Sequence, residues 1–505
     1  MPREGIWPLS FLSVAALLIS IKSLRFWPSL AIGFIGGLSF YLSQVEWLSL
    51  YLGPVPWLAL SILEAAIFAV GMAAIAAVWS WVEARINADR HPVVATISTA
   101  LALASVFTAR EWVSINLPYG GFPWSRLAQM QSESPLANWA AIFGLFGLTF
   151  IVALIGALVA LFLLSAIQKL RAPKAIIERT VSMLAIAVLF AIPAWMLHPT
   201  AEAESGSITV AAVQGNANAG LFANPVQGSI LKNHLDATEL IKKDPLAKKV
   251  QLVVWPENAS DLSPFMSVEA QTKIRNLVDK ELKVPLVFGA ITVRGDQIFN
   301  SSIFWQPKIG PTDWYDKKRP VPFAEYVPDR DFWYQLAPDL IGLISHGYTF
   351  GERDGIFNLG KTKLGTLICF EIAIDDIGKD LVDEGAQVIL SQTNNADFGH
   401  SDETYQQGAL ARLRAIETGR TVVNVSTVGV TAIYLPDGSI AKQIPAFEPG
   451  VIVETVPLRT SKTPAMLIAK PLDLANNITA LILIALSFGA RYKARRNENA
   501  SHREA

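Results

Sequence analysis

The chain has 505 residues, 51% hydrophobic and 17% charged, with a formal net charge of −1 and a mean hydropathy of +0.36. Charge is unevenly spread: 19 Lys, Arg, Asp and Glu fall in the first 200 residues and 66 in the remaining 305, so an apolar half precedes an ordinary soluble half. This excludes a disordered chain, a disulfide scaffold and a purely cytosolic enzyme, and the absence of a long basic run argues against a nucleic-acid partner.

A helix crossing a bilayer needs about 20 mostly apolar residues, because lipid offers its backbone no hydrogen-bond partners. Charge-free stretches at 5–21, 26–45, 65–82, 91–109, 134–168 and 180–201 predict a transmembrane domain of about six helices over residues 1–200. The third stretch extends back through Trp57 past Glu64, and the fifth begins at the interface, over Ser134–Asn138. Residues 5–21 lack a small-residue cleavage site and run straight into another span, so they do not read as a cleaved signal peptide. A seventh span, Leu474–Ala490, lies within 466–505 and precedes a basic tail of Arg491, Lys493, Arg495 and Arg496. Alternate short loops are basic: Lys22 and Arg25, then Arg85 and Arg90, then Lys169, Arg171, Lys174 and Arg179. Such loops face the cytoplasm, which puts the soluble part outside it. The first span then starts from outside with only Met1–Glu4 before it, so either an initial helix is missing or the start is misassigned.

From about 205 to 465 the pattern changes to short apolar runs alternating with amphipathic segments. Strands are predicted at Ile208–Val213, Leu252–Trp255, Leu286–Ile291, Leu364–Cys369, Val388–Ser391, Val422–Ser426 and Val451–Val456, and helices over 226–247, 267–281, 374–384 and 402–418. Alternation of this kind gives an α/β layered domain. The expected fold class is therefore a multi-pass α-helical membrane domain plus an α/β domain.

Loops at strand C-termini gather the chemistry of α/β domains. Two predicted strands end near Glu257, in Trp255-Pro256-Glu257-Asn258, and near Cys369 and Glu371, in Cys369-Phe370-Glu371, while Lys317 and Lys318 follow an aromatic run around Trp314. A thiol attacking an acyl carbonyl needs a base to form the thiolate and a cation or donors to hold the oxyanion. Glu, Lys and Cys meet that need without a histidine. Each also has an ordinary alternative: Cys369 as a small buried hydrophobe, Glu257 as a helix cap, Lys317 as a surface charge.

Together these segments resemble the nitrilase, or carbon–nitrogen hydrolase, superfamily, whose catalytic Glu, Lys and Cys occur in this chain order. Matching pieces are Ala212-Val213-Gln214-Gly215-Asn216, Phe288-Gly289-Ala290, Phe299-Asn300-Ser301, the run Ser391–Gly399 and the helix Ala411–Glu417. The resemblance implies an αββα sandwich. From about residue 7 to 490 the chain is similar to the apolipoprotein N-acyltransferases of bacteria, on Gly121-Phe122-Pro123-Trp124 and the block Val321–Pro328. That implies transfer of an acyl chain from a membrane phospholipid, through a Cys369 thioester, to the α-amine of a lipoprotein's diacylglyceryl-modified N-terminal cysteine. Glu257 is then the general base and Lys317 the oxyanion holder, chosen over Lys318 because it stands eight residues before Glu325. Backbone N–H groups near Phe370 assist, and Glu325 and Glu371 match carboxylates around the triad; Glu371 reads equally as a structural acid pairing a neighbouring Lys or Arg. It also implies a cell-membrane location with the catalytic domain extracytoplasmic.

Two residues depart from the family pattern: Phe370 stands where a Tyr usually follows the nucleophile, and Phe222 is the candidate substitute for a Trp. The apolar stretch in 320–350, with Phe332, Trp333, Tyr334, Leu336 and Leu340–Ile344, reads either as a mobile arm reaching toward headgroups or as ordinary packing. Two other functions compete: a membrane-anchored amidase or nitrilase hydrolysing a small C–N bond, and a transporter or receptor with an inactive sensor domain, in which Glu64 would mark a transport path. No metal-ligand cluster or phosphate-binding glycine loop occurs, so no cofactor is expected.

Overall fold

The computed structural model describes residues 4–86, 92–168, 188–194, 196, 199–220, 223–344 and 347–504. The chain forms two units: Met1–Glu46, Val55–Leu197 and Leu467–Ala505 in the first, Trp47–Pro54 and His198–Met466 in the second.

The first unit is helical, as long apolar segments must be when lipid leaves backbone groups to satisfy one another. Five helices are long and apolar enough to cross a membrane: Phe26–Gln44, Pro54–Glu83, Val93–Asn116, Pro135–Ser165 and Pro464–Lys493. The stretch at 5–21 forms only the 13-residue helix Leu9–Ile21. At 1.5 Å per residue that is about 20 Å, short of the roughly 30 Å hydrocarbon core, because Pro8 delays its start and Lys22 ends it. Half of the stretch at 180–201, the basic residues Arg90, Lys169, Arg171, Lys174 and Arg179, and Phe222 lie outside the described residues. Two buried carboxylates within this unit find donors, as low dielectric demands. Ser114 donates to buried Glu64, and Glu111 accepts from Thr149 Oγ1 at 2.6 Å and from the Leu127 amide at 3.1 Å. Gly121 sits at φ 71, and a Cβ there would fall 2.2 Å from the Asn116 nitrogen, so only glycine fits.

The second unit holds two six-stranded sheets. The first contains β1 (Ser207–Gln214), β2 (Leu252–Val254), β3 (Leu286–Arg294), β4 (Gln297–Gln306), β5 (Gly310–Asp316) and, from the end of the domain, β12 (Gly450–Pro457). The second contains β6 (Ile356–Leu359), β7 (Thr362–Ile368), β8 (Val388–Thr393), β9 (Thr421–Ser426), β10 (Thr431–Tyr434) and β11 (Ile440–Ile444). Their orders are β12-β1-β2-β3-β4-β5 and β11-β10-β9-β8-β7-β6, with parallel pairing at β1–β2–β3 and β7–β8–β9. The seven strands read from apolar runs all form. β4, β5, β6, β10 and β11 were not legible, since they are short or mix polar residues, glycine and proline into the run.

Period-two alternation builds the layers. Val210, Ala212, Leu252 and Val254 face Leu364, Ile368, Val388 and Leu390 between the sheets. The intervening Ala211, Val213, Val253 and Trp255 face Leu231, Ala237, Ala270 and Ile274, from helices Ser229–Thr238 and Val268–Asn276. Helices Asp375–Asp383 and Glu403–Thr418 pack on the other sheet. The order is helix, sheet, sheet, helix. Buried Arg414 ties the last helix to the turn after β7, giving N–H bonds to the Ile372 carbonyl at 3.0 and 3.2 Å and pairing with Glu417 and Asp375.

One glycine sets how closely the first sheet approaches the residues after β2. A Cβ on Gly289 would lie 2.5 Å from the Asn258 nitrogen and 2.6 Å from Glu257 Cα. Gly289→Ala must push that backbone away; the expected cost is about 1–3 kcal/mol, as for other overpacking changes, read as a lower unfolding temperature of the solubilised protein. An unchanged transition would show that the loop yields freely.

Candidate active site

Three segments, following β2, β5 and β7, deliver the carboxylates, the ammonium and the thiol to one end of the sandwich. Glu257 stands three residues beyond β2, Lys317 directly after β5, Glu325 in the following loop and Cys369 directly after β7. Cys369 begins a short 3₁₀ turn, Cys369–Ala373, at φ 54, and Asn258 beside Glu257 has φ 51. Left-handed backbone at non-glycine residues costs of order 1–3 kcal/mol and survives only where its surroundings impose it. At Cys369 the strand therefore ends abruptly, and the thiol stays at the sheet's edge.

Lys317 is buried among acids. Its Nζ lies 2.9 Å from Glu325 Oε2, 3.0 Å from Oε1, and 3.5 Å from Glu257 Oε1. Its backbone is fixed on both sides: the amide donates to the Asn300 carbonyl at 2.9 Å, and its carbonyl accepts from Gly351 at 2.9 Å. Asn300 Nδ2 bridges the two carboxylates, donating to Glu257 Oε1 at 2.7 Å and Glu325 Oε1 at 3.0 Å. Glu257 also accepts from the Asn394 amide at 2.8 Å, and Glu325 from the Val321 amide at 2.7 Å. Lys318 turns elsewhere, to Asp354 at 2.6 Å. Geometry alone therefore separates the two neighbouring lysines.

Burial disfavours charge on Lys317, but the Glu325 and Glu257 carboxylates outweigh it and hold its pKa well above the ordinary lysine value. Glu257 is pushed up by burial, with Lys317 opposing and Glu325 adding. The Cys369 thiol is pushed well up by burial and then by the Glu257 charge, while Lys317 and a hydrogen bond with Thr393 pull the other way. Burial and the Glu257 charge both favour the protonated sulfur. These interactions place Cys369 within electrostatic reach of both Glu257 and Lys317.

Glu371 does not pair a neighbouring Lys or Arg side chain. It is fully buried and accepts four hydrogen bonds: Tyr315 Oη at 2.8 Å, Lys318 N at 2.8 Å, Arg319 N at 3.1 Å and Ile368 N at 2.8 Å. It stitches the end of β5 to the end of β7, the two strands that carry Lys317 and Cys369. Phe370 is buried at 9% exposure.

Comparison with known proteins fits this arrangement. The sequence model for the apolipoprotein N-acyltransferase N-terminal domain matches residues 1–158, and that for carbon–nitrogen hydrolases matches residues 209–463. The chain belongs to the carbon–nitrogen hydrolase family, in its apolipoprotein N-acyltransferase branch. An apolipoprotein N-acyltransferase of Mycolicibacterium smegmatis is 31% identical over 59% of this chain, an alignment spanning only about half (51%) of that longer relative. One from Pseudomonas syringae pv. tomato is 27% identical over 90% of this chain and 87% of its own length. Among solved structures, a mutant amidase of the nitrilase superfamily from Nesterenkonia AN1 aligns at 17% identity and a TM-score of 0.40, over 54% of this chain and 98% of that one. The chain is thus an enzyme of the N-acyltransferase family with helices suited to a multi-pass membrane protein.

Several residues around this family member's site carry no sequence signal. Trp47 and Tyr51, from the segment Trp47–Pro54, join the second unit: Trp47 donates to Gln406 Oε1 at 3.1 Å, and both rings pack on Phe398, at 4.9 and 5.5 Å between centroids. Burial, with the Asp397, Glu325 and Glu257 charges, pushes the Tyr51 phenol up to about 12; burial and the same two glutamates raise Tyr348. Two phenols therefore flank the carboxylates from segments far apart in sequence. In the stretch 320–350, Ile341 is buried and Trp333 packs edge-on against Phe323 at 5.3 Å, but Phe332, Tyr334, Leu336 and Leu343 are exposed. Ordinary packing does not account for those four side chains.

Glu371→Ala strands three buried amides, each worth roughly 1–3 kcal/mol when left unsatisfied. The expected result is a large loss of thermal stability together with loss of activity, whereas Lys318→Ala, at a partly exposed ion pair, should change stability by less than about 1 kcal/mol. Equal effects of the two changes in a thermal melt would contradict the assignment of Glu371 as the stitch.

Proposed function

We propose that this enzyme moves an acyl chain from a membrane phospholipid to the α-amine of the diacylglyceryl-cysteine that begins a lipoprotein. Glu257 takes the Cys369 proton as the sulfur attacks the ester carbonyl of the lipid. Charge moves onto the carbonyl oxygen, where the Lys317 ammonium and backbone N–H groups near Phe370 stabilise it. The C–O bond breaks, the lysophospholipid alkoxide leaves with the proton held by Glu257, and a thioester remains on Cys369. The lipoprotein amine then attacks that thioester, gives a proton to Glu257 and releases the thiol, forming the amide. Glu325 keeps Lys317 charged and in place.

The observation that carries this reading is the single buried ammonium shared by two carboxylates beside the chain's one thiol. Burial raises the Glu257 carboxyl, which makes it a stronger base than in water, and the raised thiol gives up its proton as it attacks, while the lysine remains a cation throughout. The match to a membrane-embedded family supports lipid substrates. The alternating basic loops support an orientation in the bacterial cytoplasmic membrane with the catalytic domain outside the cytoplasm, where both lipids are presented.

Incubated with phospholipid alone, the protein should gain one acyl mass on Cys369, removable by neutral hydroxylamine and absent in Cys369→Ala. Conversion of diacylated lipoprotein to the triacylated form by the Ala variant would overturn the mechanism. Lys317→Ala should slow thioester formation by roughly 10²–10³, the usual loss for one oxyanion donor. Because burial raises Glu257, wild-type acylation should rise with pH beyond the ordinary carboxylate range as the base loses its proton, and Glu257→Gln should abolish that rise.

A further inference from the structure

Resting on Cys369 as the nucleophile proposed above, one buried acid beside it has no part in that chemistry. Glu403 is the first residue of helix Glu403–Thr418, is 2% exposed and accepts from Asn395 Nδ2 at 2.6 Å. The second Asn395 N–H goes to Gln407 Oε1 at 2.6 Å, and the same oxygen accepts the Thr393 hydroxyl at 2.7 Å. Thr393 stands beside Cys369 at the ends of two paired strands, one step past the Ile368–Gln392 pair, and its hydroxyl favours the ionised sulfur. A hydrogen-bonded run of side chains, Glu403–Asn395–Gln407–Thr393, therefore ends next to Cys369.

We infer that Glu403 is a positioning residue that sets how readily Cys369 ionises, through this chain and through its own charge. Thr393 has one hydroxyl proton and two claimants. With Glu403 ionised, Asn395 must present its NH₂ to the carboxylate, which leaves the Gln407 carbonyl facing Thr393. The hydroxyl proton is then committed to Gln407 and withheld from sulfur. Gln407 Nε2 meanwhile is buried with no hydrogen-bond partner among the described residues. With Glu403 protonated, its O–H offers Asn395 a donor, so the two amides can turn over together, Asn395 exchanging the bond its Oδ1 accepts from the Ser426 hydroxyl at 2.5 Å for one that its NH₂ donates to that oxygen. Gln407 Nε2 then donates to Thr393 Oγ1, and Thr393 gives its proton to the thiolate. Electrostatics act in the same direction, since a neutral Glu403 no longer opposes a negative sulfur.

The groups facing Glu403 are Glu257 from the loop after β2 and Cys369 from the end of β7, with Lys317 beyond them and Asp402 preceding it on its own segment. Burial, opposed by the Asn395 bond and aided by the Glu257 charge, pushes its pKa up to about 8, which brings the two states within reach of working pH.

Cys369 is the chain's single cysteine, so alkylation by iodoacetamide followed by intact mass of the full-length protein reads this thiol without any lipid. The wild-type rate should rise with pH, flatten near pH 8 as Glu403 ionises, and rise again. Glu403→Gln, permanently neutral, should match wild type below about pH 7 and exceed it roughly fivefold by pH 9, without the shoulder. Thr393→Val should slow alkylation and shrink the Glu403→Gln gain in the double variant, as coupled residues do. A Glu403→Gln to wild-type ratio that is constant with pH overturns the inference. If Glu403→Gln does not fold, a wild-type profile with no shoulder does the same. An enzyme that shows the shoulder yet never gains acyl mass refutes the acyl-transfer reading and leaves this one standing.

Discussion

One buried ammonium holds the catalytic domain's business end together. Lys317 is 1% exposed, yet carries charge between Glu257 and Glu325. Taking three charges out of water is costly, and such clusters persist only where geometry and hydrogen bonds repay the desolvation. Asn300, the Asn394 amide and the Val321 amide supply those bonds. Removing Lys317 leaves two buried carboxylates facing each other with no cation between them. The rest of the sandwich serves to keep these groups from relaxing apart.

The fold achieves this by anchoring each group to a different rigid strand. β2, β5 and β7 end at the same edge, and the inter-sheet core of Val210, Val254, Leu364 and Leu390 fixes the distance between the sheets. Local devices then correct the aim of each loop. Gly289 allows the Glu257 backbone to settle against β3, Glu371 ties the ends of β5 and β7, and Arg414 clamps the turn that follows Cys369. Strained backbone at Cys369 is tolerated because these bonds surround it.

The same packing makes the thiol hard to ionise. Burial and the Glu257 charge both oppose the thiolate, so reactivity depends on concerted proton removal rather than on a standing anion. A second buried acid, Glu403, is joined by hydrogen bonds through Asn395 and Gln407 to Thr393, beside the thiol. Polar networks in low dielectric are well suited to such coupling, because each bond is strong and each proton has few alternative places to go.

The sequence by itself determined the division into apolar and soluble parts, the α/β class and the seven strands with continuous apolar runs, because hydrophobic periodicity is a local property; it offered Glu257, Lys317 and Cys369 as candidates through their resemblance to a family pattern. It misjudged the stretch at 5–21, where a charge-free run was longer than the helix that Pro8 and Lys22 permit. It left Lys317 and Lys318 to be separated by spacing, and allowed Glu371 a lysine or arginine partner where the structure gives it backbone amides. Only the tertiary structure decided the joining of Trp47 and Tyr51 to the catalytic unit, the phenol of Tyr348 beside the carboxylates and the run of side chains from Glu403 to Thr393 beside the sulfur. Those relations connect residues up to several hundred positions apart, and no pattern along the chain encodes a meeting that only folding brings about.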